Sequence, residues 1–550
     1  MTGLSSRDRL VWVVIGVMLA GHAVLAFDTA RNMSVTHDEY WHLPVGLLNW
    51  KTGRFEFDTL NPPLVKMFAA LPLLATDARA PSIETPTAPA GYGDRFQSAN
   101  HGRLQQLFLI GRCMIVLLSV FTGLILALWA WKLFGPGSAC LTALLWSGSP
   151  TVLAHASLVT TDLGAAALFT ATLFLLWNFA SQPSLKSALI FGVVLGLAQI
   201  TKYTCLLLYP LSIMLWFVIR YRNRDVSSVS KPVVAVQWTA ALLVSLGTLN
   251  TGYLFGGSFS SLESYHFVSK DLSQISNALN GISAVPVPFP RDYLEGLDQQ
   301  RHIMEQKHPV FLDQRWSTEG FGNYYLMAML YKLPHALQLL ILSSAVFLLF
   351  PGREERHTRV QLVLLLPAIS LIAIASFSGM QLGLRYILPA FPFLFLFAGQ
   401  TTRWLRWKQT PFRSLALSAL IVGMLLPLGN HPHHLAYFNE YAGGPDEGRD
   451  HLLDSNLDWG QDLGRLKEFV EAHQIDDLHL AYFGTMPPQE YGIRFRLPAS
   501  RHPEPGWYAV SVNFVQGRPH VVRDGKGQSR SVGLDEFGYF RFFHEKKQSI

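Results

Sequence analysis

Charged residues are scarce in this chain and are missing altogether from long stretches of it. Only 15% of the 550 residues are Asp, Glu, Lys or Arg, against about a quarter in ordinary soluble domains. Most of the uncharged stretches reach the roughly 20 residues that cross a hydrocarbon core. They are residues 10–27, 113–131, 133–161, 163–185, 187–201, 203–219, 232–262, 333–352, 360–384, 386–402 and 414–438. This pattern excludes a water-soluble protein and predicts a polytopic α-helical membrane protein with about eleven transmembrane helices.

Cysteine is nearly absent. The three that occur, Cys113, Cys140 and Cys205, lie in or beside apolar stretches, so they exclude a disulfide framework and do not indicate a redox compartment. The N-terminal segment is similar to a signal peptide, but its apolar stretch is long and further spans follow. It is therefore predicted to be a retained membrane anchor.

Basic residues cluster in short loops, where they are typical of the cytoplasmic side. With Arg7 inside and about eleven helices following, every cluster falls on that side, which places the N-terminus in the cytoplasm. Loops this short make nucleic acid an improbable partner. The clusters are Arg7 and Arg9; Arg220, Arg222, Arg224 and Lys231; Arg353, Arg356 and Arg359; and Arg403, Arg406, Lys408 and Arg413.

The same topology leaves three long polar segments outside the membrane. Two are outer loops, at about 28–103 and 263–326, and the third is the tail, residues 431–550. We therefore expect a transmembrane domain over 1–430 and a small soluble α/β domain, extracytoplasmic, over 431–550.

Local patterns in the tail support that expectation. Asp458 and Gln461 are spaced as a capping box at a helix start, and the apolar residues that follow share one helical face. Strands are predicted at Leu478–Phe483 and Trp507–Phe514, with Phe540–Phe543 as a further candidate.

Ionisable residues near membrane depth are costly and are candidates for function. Asp38 and Glu39 follow the first predicted helix, and Asp162, Lys202 and Arg385 lie in turns between later helices. The helix count puts all these turns on the outer face. Acids and cations are therefore expected to gather at one side of the membrane.

This arrangement suits the chemistry of a polyprenyl-phosphate sugar. Lys202 and Arg385 could bind the lipid phosphate and stabilise the charge that grows as it leaves. Asp38 could deprotonate an acceptor hydroxyl that attacks the anomeric carbon. Because phosphate is already a good leaving group, a second carboxylic acid is not required, and direct displacement would invert the anomeric configuration.

Each of these residues also has a purely structural explanation. The acid pair could mark the end of the first helix, Asp162 could cap the fourth, and Lys202 and Arg385 could be snorkelling anchors. Arg112, inside the second apolar stretch, is either a pathway residue or the structural partner of a buried acid.

Metal binding has weaker support. His37 and His42 are five residues apart, which turns them away from each other on a helix. The segment from Asp454 to Gly460 is similar to a calcium loop, but its glycine falls one place late and Arg465 stands at the twelfth position. A divalent cation, Mg or Mn, bridging the donor phosphate to Asp38 or Glu39 is left open.

Several motifs together resemble the GT-C membrane glycosyltransferases. The closest group is the family 39-like set, which includes protein O-mannosyltransferases and bacterial aminoarabinose transferases of lipid A, and the resemblance covers most of 1–430. Two sequence segments of the tail, 437–444 and 454–462, are similar to a motif shared by uncharacterised bacterial members. The motifs are His37-Asp38-Glu39, Asn61-Pro62-Pro63-Leu64, Thr161-Asp162, Thr201-Lys202-Tyr203 and Arg385-Tyr386-Ile387-Leu388-Pro389.

The resemblance implies a polyprenyl-phosphate-sugar donor, an acceptor that is a glycan, lipid or protein, and a bacterial inner membrane. Asn61 stands where the aminoarabinose transferases carry a lysine, with Lys66 further on, so the sugar and the acceptor are left open. The implied site comprises catalytic Asp38 and Glu39, phosphate-binding Lys202, Arg385 and Tyr386, and supporting His37, Lys66, Arg112 and Asp162.

The sequence thus predicts an inverting hexosyl- or pentosyltransferase acting at the outer face of the membrane. The alternative is a secondary transporter or flippase of an anionic lipid-linked substrate. Transporters usually bind near the bilayer midplane, often between two related halves, and this sequence contains no second half. A third hypothesis, a non-catalytic scaffold, does not explain charges gathered at one face.

Overall fold

The computed structural model describes most of the chain between residues 5 and 532, and almost all of its regular structure is helical. The segments outside the described residues are 1–4, 83–85, 221–229, 280, 282, 347, 349–354, 407–420, 499–504, 524–528 and 533–550. The candidate strand Phe540–Phe543, and Arg222, Arg224, Arg353, Lys408 and Arg413 of the basic clusters, lie in these segments.

Helices run through the whole described chain. The first eleven are α1 Ser6–Asn32, α2 Glu39–Thr52, α3 Leu64–Ala70, α4 Pro89–Ala99, α5 Leu104–Phe134, α6 Pro136–Gly148, α7 Pro150–Ala156, α8 Thr161–Ser181, α9 Leu185–Gln199, α10 Leu208–Arg220 and α11 Lys231–Gly252. The rest are α12 Lys270–Ala278, α13 Arg291–Glu305, α14 Tyr324–Lys332, α15 His335–Val346, α16 Glu355–Ser376, α17 Phe391–Gly399, α18 Leu463–Ala472 and α19 Val512–Val515.

Six helices of the described residues are long and apolar enough to cross a membrane. They are Ser6–Asn32, Leu104–Phe134, Thr161–Ser181, Tyr203–Arg220, Lys231–Gly252 and Thr358–Ser376. Shorter apolar helices are Leu64–Ala75, Leu185–Gln199, His335–Val346 and Ile421–Asn430. The prediction of a polytopic helical membrane protein is confirmed, whereas the count of eleven spans and the side on which each loop lies stay predictions.

The outer face of α1 is apolar and uncovered. Val13, Val17 and Val24 are 61%, 67% and 67% exposed, which would be unfavourable in water for residues on one long helix. A face of this kind is what a lipid-facing span requires.

Small residues let α9 and α11 approach closely. A side chain at Gly192 would collide with the backbone of Ala241, and one at Gly196 would collide with that of Ser245. Two glycines four residues apart, facing small residues, are the usual means by which transmembrane helices pack without a hydrophobic driving force.

A buried ion pair fixes the segment between α1 and α2 against α5. Arg112 Nε donates to Glu39 Oε1 at 2.9 Å and its NH2 donates to Glu39 Oε2 at 2.7 Å. The same guanidinium donates to the carbonyls of Ala30, Met33 and Ser34. Of the two alternatives for Arg112, these contacts correspond to the structural partner of a buried acid.

The carboxylate of Glu39 is fully occupied by donors. Besides Arg112, it accepts from the backbone N–H and hydroxyl of Thr36 at 3.1 and 2.8 Å and from the N–H of Val159 at 2.7 Å. Its side chain is completely buried. Glu39 therefore joins three parts of the chain and has no free face toward a ligand.

Three two-stranded sheets complete the regular structure. Only the parallel β3–β4 pair, with α18 beside it, matches the expected α/β pattern; Trp507–Phe514 is a strand only to Val510 and then turns into α19. The strands are β1 Val310–Leu312 with β2 Arg315–Ser317 (antiparallel), β3 Leu478–Ala481 with β4 Trp507–Val510 (parallel), and β5 His520–Arg523 with β6 Ser529–Val532 (antiparallel).

The predicted capping box is wrong. Helix α18 begins at Leu463, and the Asp458 carboxylate instead accepts the N–H of Gly460 and the hydroxyl of Ser511. Gln461 Oε1 accepts the N–H of Trp459 at 2.7 Å rather than reaching back to Asp458. The left-handed φ of 85° at Gly460 turns the chain before a helix can start.

The apolar interior of the tail is continuous with that of the helices. Leu463, Leu478 and Leu480 belong to the same buried cluster as residues of α1, α5 and α8. The division at residue 431 stays a prediction, since this shared cluster joins both parts.

Replacing Arg112 with Met should destabilise the protein by about 3–5 kcal/mol, because it leaves the buried charge of Glu39 uncompensated. Unfolding titrations in detergent check this, with Arg54→Met as the control. The Arg54–Glu56 pair is exposed, so its loss should cost under about 1 kcal/mol. Equal destabilisation by the two variants would contradict this account of the Arg112–Glu39 pair.

Candidate active site

A cavity of about 880 Å³ lies where the helix ends and the tail meet. One part is polar and is lined by charged side chains from several separate segments. Another part is apolar and runs between α10 and α16. Its lining includes His37, Asp38, Trp41, Asn61, Lys202, Leu206, Leu207, Pro210, Tyr325, Leu371, Ile374, Arg385, Tyr386, Asp454, Trp459, Phe483 and Arg518.

The charged residues predicted to meet do so at the polar end. Arg385 NH1 donates to Asp38 Oδ2 at 2.6 Å and lies 3.6 Å from Asp162 Oδ2. Lys202 Nζ donates to Asp162 Oδ1. Two acids and two cations thus form one alternating chain of ion pairs: Asp38, Arg385, Asp162, Lys202.

Helix ends bring these side chains together. Asp38 immediately precedes α2, and Asp162 lies in the first turn of α8, where the helix dipole favours a carboxylate. Lys202 precedes the short 3₁₀ turn before α10, and Arg385 lies in a 3₁₀ turn, Leu384–Ala390, before α17. Each charge is therefore held by a short connection between rigid helices.

Aromatic rings flank the cations. The Arg385 guanidinium carbon lies 4.3 Å from the centre of the Trp459 ring and 5.1 Å from that of Tyr386. Lys202 Nζ lies 5.2 Å from the Tyr386 ring. Tyr386 thus contacts both predicted phosphate-binding cations, and Arg385 Nε has no hydrogen-bond partner among the described residues.

Asp38 is held in its ionised form. Burial acts to raise its pKa, but the guanidinium of Arg385 and the neighbouring His37 outweigh burial and hold the pKa well below its ordinary value. His37 Nδ1 lies 3.4 Å from Asp38 Oδ1. The carboxylate that lines the cavity is therefore charged at neutral pH.

Asp162 reaches the cavity only through Lys202 and Arg385, and three further predicted site residues do not line it either. Glu39 and Arg112 bind each other and are absent from its lining. Lys66 is buried and donates to Asp58 Oδ2 at 2.8 Å and to the carbonyl of Asn61 at 2.7 Å. Lys66 therefore supports the segment that carries Asn61, and Asn61 itself faces the cavity.

The carboxylates do not fit a resident metal ion. No group of three or more His, Cys, Asp or Glu side chains among the described residues could hold one. Glu39 is saturated by donors, and Asp38 is occupied by a guanidinium. A divalent cation would have to displace a bound cation from either acid.

The tail contributes residues that the search for membrane-depth charges could not identify. Asp454 and Trp459 lie in the tail segment 454–462, but the sequence did not indicate that they belong to the site. Phe483 and Arg518 carried no signal at all. All four line the cavity.

The tail also holds the loop that carries Asp38. Ser34 N–H donates to the carbonyl of Gln461 at 2.8 Å, and His37 N–H donates to that of Trp459 at 3.1 Å. The hydroxyl of Thr485 donates to the carbonyl of His37 at 3.1 Å. These bonds fix the backbone on the N-terminal side of Asp38.

The same tail segment holds the turn that carries Arg385. Leu384 N–H donates to Asn456 Oδ1 at 2.9 Å, and the Ser455 hydroxyl donates to the carbonyl of Leu382 at 2.9 Å. Lys332, buried in α14, donates to the carbonyls of Leu435 and Asn456. Residues 454–461 therefore position both members of the Asp38–Arg385 pair.

The architecture is that of a polytopic helical membrane protein with a cluster of paired charges at its helix ends. Residues 107–247 match the family model described as dolichyl-phosphate-mannose-protein mannosyltransferase, and this region contains Asp162 and Lys202. The match confirms the resemblance that the motifs indicated. No curated protein sequence matches the chain.

Solved structures of two other proteins are distantly similar. ArnT from Cupriavidus metallidurans in the apo state is 15% identical, with a TM-score of 0.45, over 76% of this chain and 64% of ArnT. The ArnT structure bound to undecaprenyl phosphate is 14% identical, with a TM-score of 0.46, over 84% and 72%. The archaeal oligosaccharyltransferase AglB from Archaeoglobus fulgidus, in complex with an inhibitory peptide and a dolichol-phosphate, is 12% identical, with a TM-score of 0.47, over 86% and 60%. The chain spans 64% of the length of apo ArnT, and these similarities do not assign a substrate.

Replacing Arg385 with Met should raise the pKa of Asp38, because burial then acts on the carboxylate without the guanidinium. Infrared difference spectra between about pH 7 and pH 4 check this, because this range lies above the ordinary pKa of an aspartate, about 3.9. Asp292 and Asp458, whose pKa values burial raises to about 6, also protonate in this range. The protonated-carboxyl band should therefore be larger in Arg385→Met than in wild type, and this excess should disappear in the Arg385→Met/Asp38→Asn double variant. A band of equal size in the single and double variants would show that another acid titrates.

Proposed function

We propose that this protein transfers a sugar from a polyprenyl-phosphate donor to an acceptor hydroxyl, with inversion at the anomeric carbon. The observation that carries the proposal is the cavity, which joins a cluster of paired charges to an apolar channel between two candidate membrane spans. A lipid-linked sugar phosphate has the same two parts, an anionic head and a long hydrocarbon tail.

The apolar part of the cavity suits the lipid. Leu206, Leu207 and Pro210 line it on one side, and Leu371 and Ile374 of α16 line it on the other. Both sides belong to segments long and apolar enough to span a membrane. An isoprenoid chain could therefore enter from the bilayer while its phosphate stays at the polar end.

Lys202 and Arg385 are the groups proposed to bind the phosphate. Arg385 Nε has no acceptor among the described residues, and an unsatisfied buried donor is unfavourable until a ligand oxygen reaches it. Held by Asp38 and Asp162, the two cations are positioned before the donor arrives. They would stabilise the negative charge that grows on the departing phosphate, at little cost in reorganisation.

Asp38 is proposed as the general base. While it is paired with Arg385 its pKa is low and it is a weak base. A donor phosphate that competes for Arg385 would weaken this pairing and raise the basicity of the carboxylate. Asp38 could then accept the proton of an acceptor hydroxyl as that oxygen attacks the anomeric carbon and the phosphate leaves with the bonding electrons.

Other predicted site residues are proposed to act through these groups. Asp162 holds Lys202 and attracts Arg385, and Glu39 with Arg112 anchors the start of α2 beside Asp38. His37 sits against the Asp38 carboxylate. They are positioning residues in this scheme, so Glu39 is not proposed to contact substrate.

The proposed setting is the outer face of a bacterial inner membrane, with the tail extracytoplasmic. The hexosyl or pentosyl nature of the donor and the identity of the acceptor follow from neither the charge cluster nor the apolar channel. A flippase of the same lipid would use the same head and tail contacts but would not need a base, so the test rests on Asp38.

Replacing Asp38 with Asn should lower the rate of sugar transfer about 10²–10⁴-fold, the usual contribution of a general base. Transfer from radiolabelled polyprenyl-phosphate sugars into envelope acceptors, in membranes containing equal amounts of folded protein, measures this. Glu56→Gln is the control, since that acid pairs with Arg54 and does not line the cavity. Unchanged transfer in Asp38→Asn would remove the proposed base, and lipid movement without any transfer would favour the flippase.

Replacing Lys202 with Gln should weaken binding of undecaprenyl phosphate about tenfold or more, because a charge-assisted contact to phosphate contributes about 1.5–3 kcal/mol. Titration of purified protein with the lipid measures the Kd. Lys132→Gln is the matched control, since that exposed lysine donates to the Asn178 amide and lies outside the cavity. Equal losses in both variants would indicate a general charge effect.

A further inference from the structure

We propose that Asp454, Phe483 and Arg518 form a subsite for the sugar that is transferred. The inference rests on the proposed function and adds to it which part of the donor the tail recognises. The three residues come from different parts of the tail, and each lines the same cavity as Asp38 and Arg385.

Arg518 is placed to donate to a ligand. Its NH2 group pairs with Asp454 Oδ2, and its guanidinium carbon lies 5.3 Å from the centre of the Phe483 ring. Its Nε is buried and has no hydrogen-bond partner in the described parts of the chain. A buried N–H without an acceptor in the protein, on the wall of a cavity, indicates an acceptor on the bound molecule.

Asp454 is held in an unfavourable backbone conformation. Its φ is 59°, in the left-handed region that few non-glycine residues adopt. The conformation is fixed by the N–H of Asp454, which donates to Asn513 Oδ1 at 2.8 Å, and by Ser455 N–H, which donates to Asp454 Oδ1 at 2.6 Å. Strain of this kind is characteristic of ligand sites.

The remaining bonding capacity of the pair suits hydroxyl groups. A carboxylate has about four lone-pair sites, and in Asp454 the described contacts use one on each oxygen, leaving acceptors for O–H donors. Arg518 Nε can donate to a hydroxyl oxygen. Because the two charges neutralise each other, the pair favours a neutral polar ligand over a second anion.

Aromatic rings complete the surroundings expected for a sugar. Phe483 lies under Arg518 and stacks at 6.0 Å on His37, and Trp459 lies beside Arg385. The hydroxyl of Tyr325 is buried, lines the cavity and has no partner among the described residues. Apolar ring faces with a few fixed polar groups are the usual makeup of a specific small-molecule site.

The position of the Asp454–Arg518 pair favours contact with the transferred sugar over contact with a distant part of the acceptor. Asp454 is close enough to both Arg385 and Tyr386 to interact with them electrostatically. The sugar is bonded directly to the phosphate that Arg385 is proposed to bind. Of the polar parts of the donor, the sugar is therefore the one nearest to the phosphate and to the residues beside Arg385.

Binding of undecaprenyl phosphate, and of its mannose, glucose and N-acetylglucosamine derivatives, to purified full-length protein tests the inference. Wild type should bind at least one glycosylated lipid about tenfold or more tightly than the bare lipid, since hydrogen bonds to charged groups are worth that much. Arg518→Gln and Asp454→Asn should bring the ratio near one, and Arg518→Lys should restore part of the preference.

The matched control is Arg496→Gln, since that arginine also pairs with an aspartate, Asp477, but is exposed and outside the cavity. It should keep the wild-type ratio, and thermal unfolding should show that each variant is folded. An unchanged ratio in folded Arg518→Gln, or no sugar preference in wild type, overturns the sugar subsite while the phosphate site stands. Failure of wild type to bind either kind of lipid overturns the proposed function as well.

Discussion

The sharing of one guanidinium between two carboxylates is the interaction on which the site depends. Arg385 lies 2.6 Å from Asp38 and 3.6 Å from Asp162, and Asp162 also binds Lys202. Isolated charges buried in this way would be very unfavourable, so each acid is stable there only with its cation. The helix ends that carry these residues must consequently stay in register. Glu39, next to Asp38 in the sequence, forms a second buried pair with Arg112 that helps to hold this register.

The tail is part of the same construction. Carbonyl groups of its segment 454–461 accept hydrogen bonds from the backbone N–H groups that precede Asp38. The same segment also makes hydrogen bonds to the turn that carries Arg385. Lys332 ties that segment in turn to α14 by donating to two carbonyls. A region expected to be a small soluble domain therefore lines the cavity and also holds its charged residues in place. These two roles account for the polar residues of the segment 454–462.

The sequence was informative where single residues are costly. An Asp or Arg beside an apolar stretch stands out because solvation energy penalises it, and the resulting prediction of a one-sided cluster agrees with the contacts of Asp38, Asp162, Lys202 and Arg385. The residues that escaped, Phe483 and Arg518, belong to the tail, where a single arginine or aromatic ring in the sequence is unremarkable. The capping box failed for a related reason: Asp458 and Gln461 have the right spacing, but Ser511 and a glycine turn compete for the same groups. Such competition depends on tertiary contacts that a local pattern does not contain.

The low pKa of Asp38 bears on how such a site could avoid hydrolysing its donor with water. With its charge held by Arg385, the carboxylate is a poor base and has little tendency to activate water. Breaking a buried pair without replacement costs about 3–5 kcal/mol, so Asp38 cannot simply separate from the arginine. A phosphate that takes over part of the guanidinium supplies the replacement, and it does so only when the donor lipid fills the channel. In the proposed mechanism, the ion pair that stabilises the empty site thus makes the base dependent on the leaving group, because both compete for one cation.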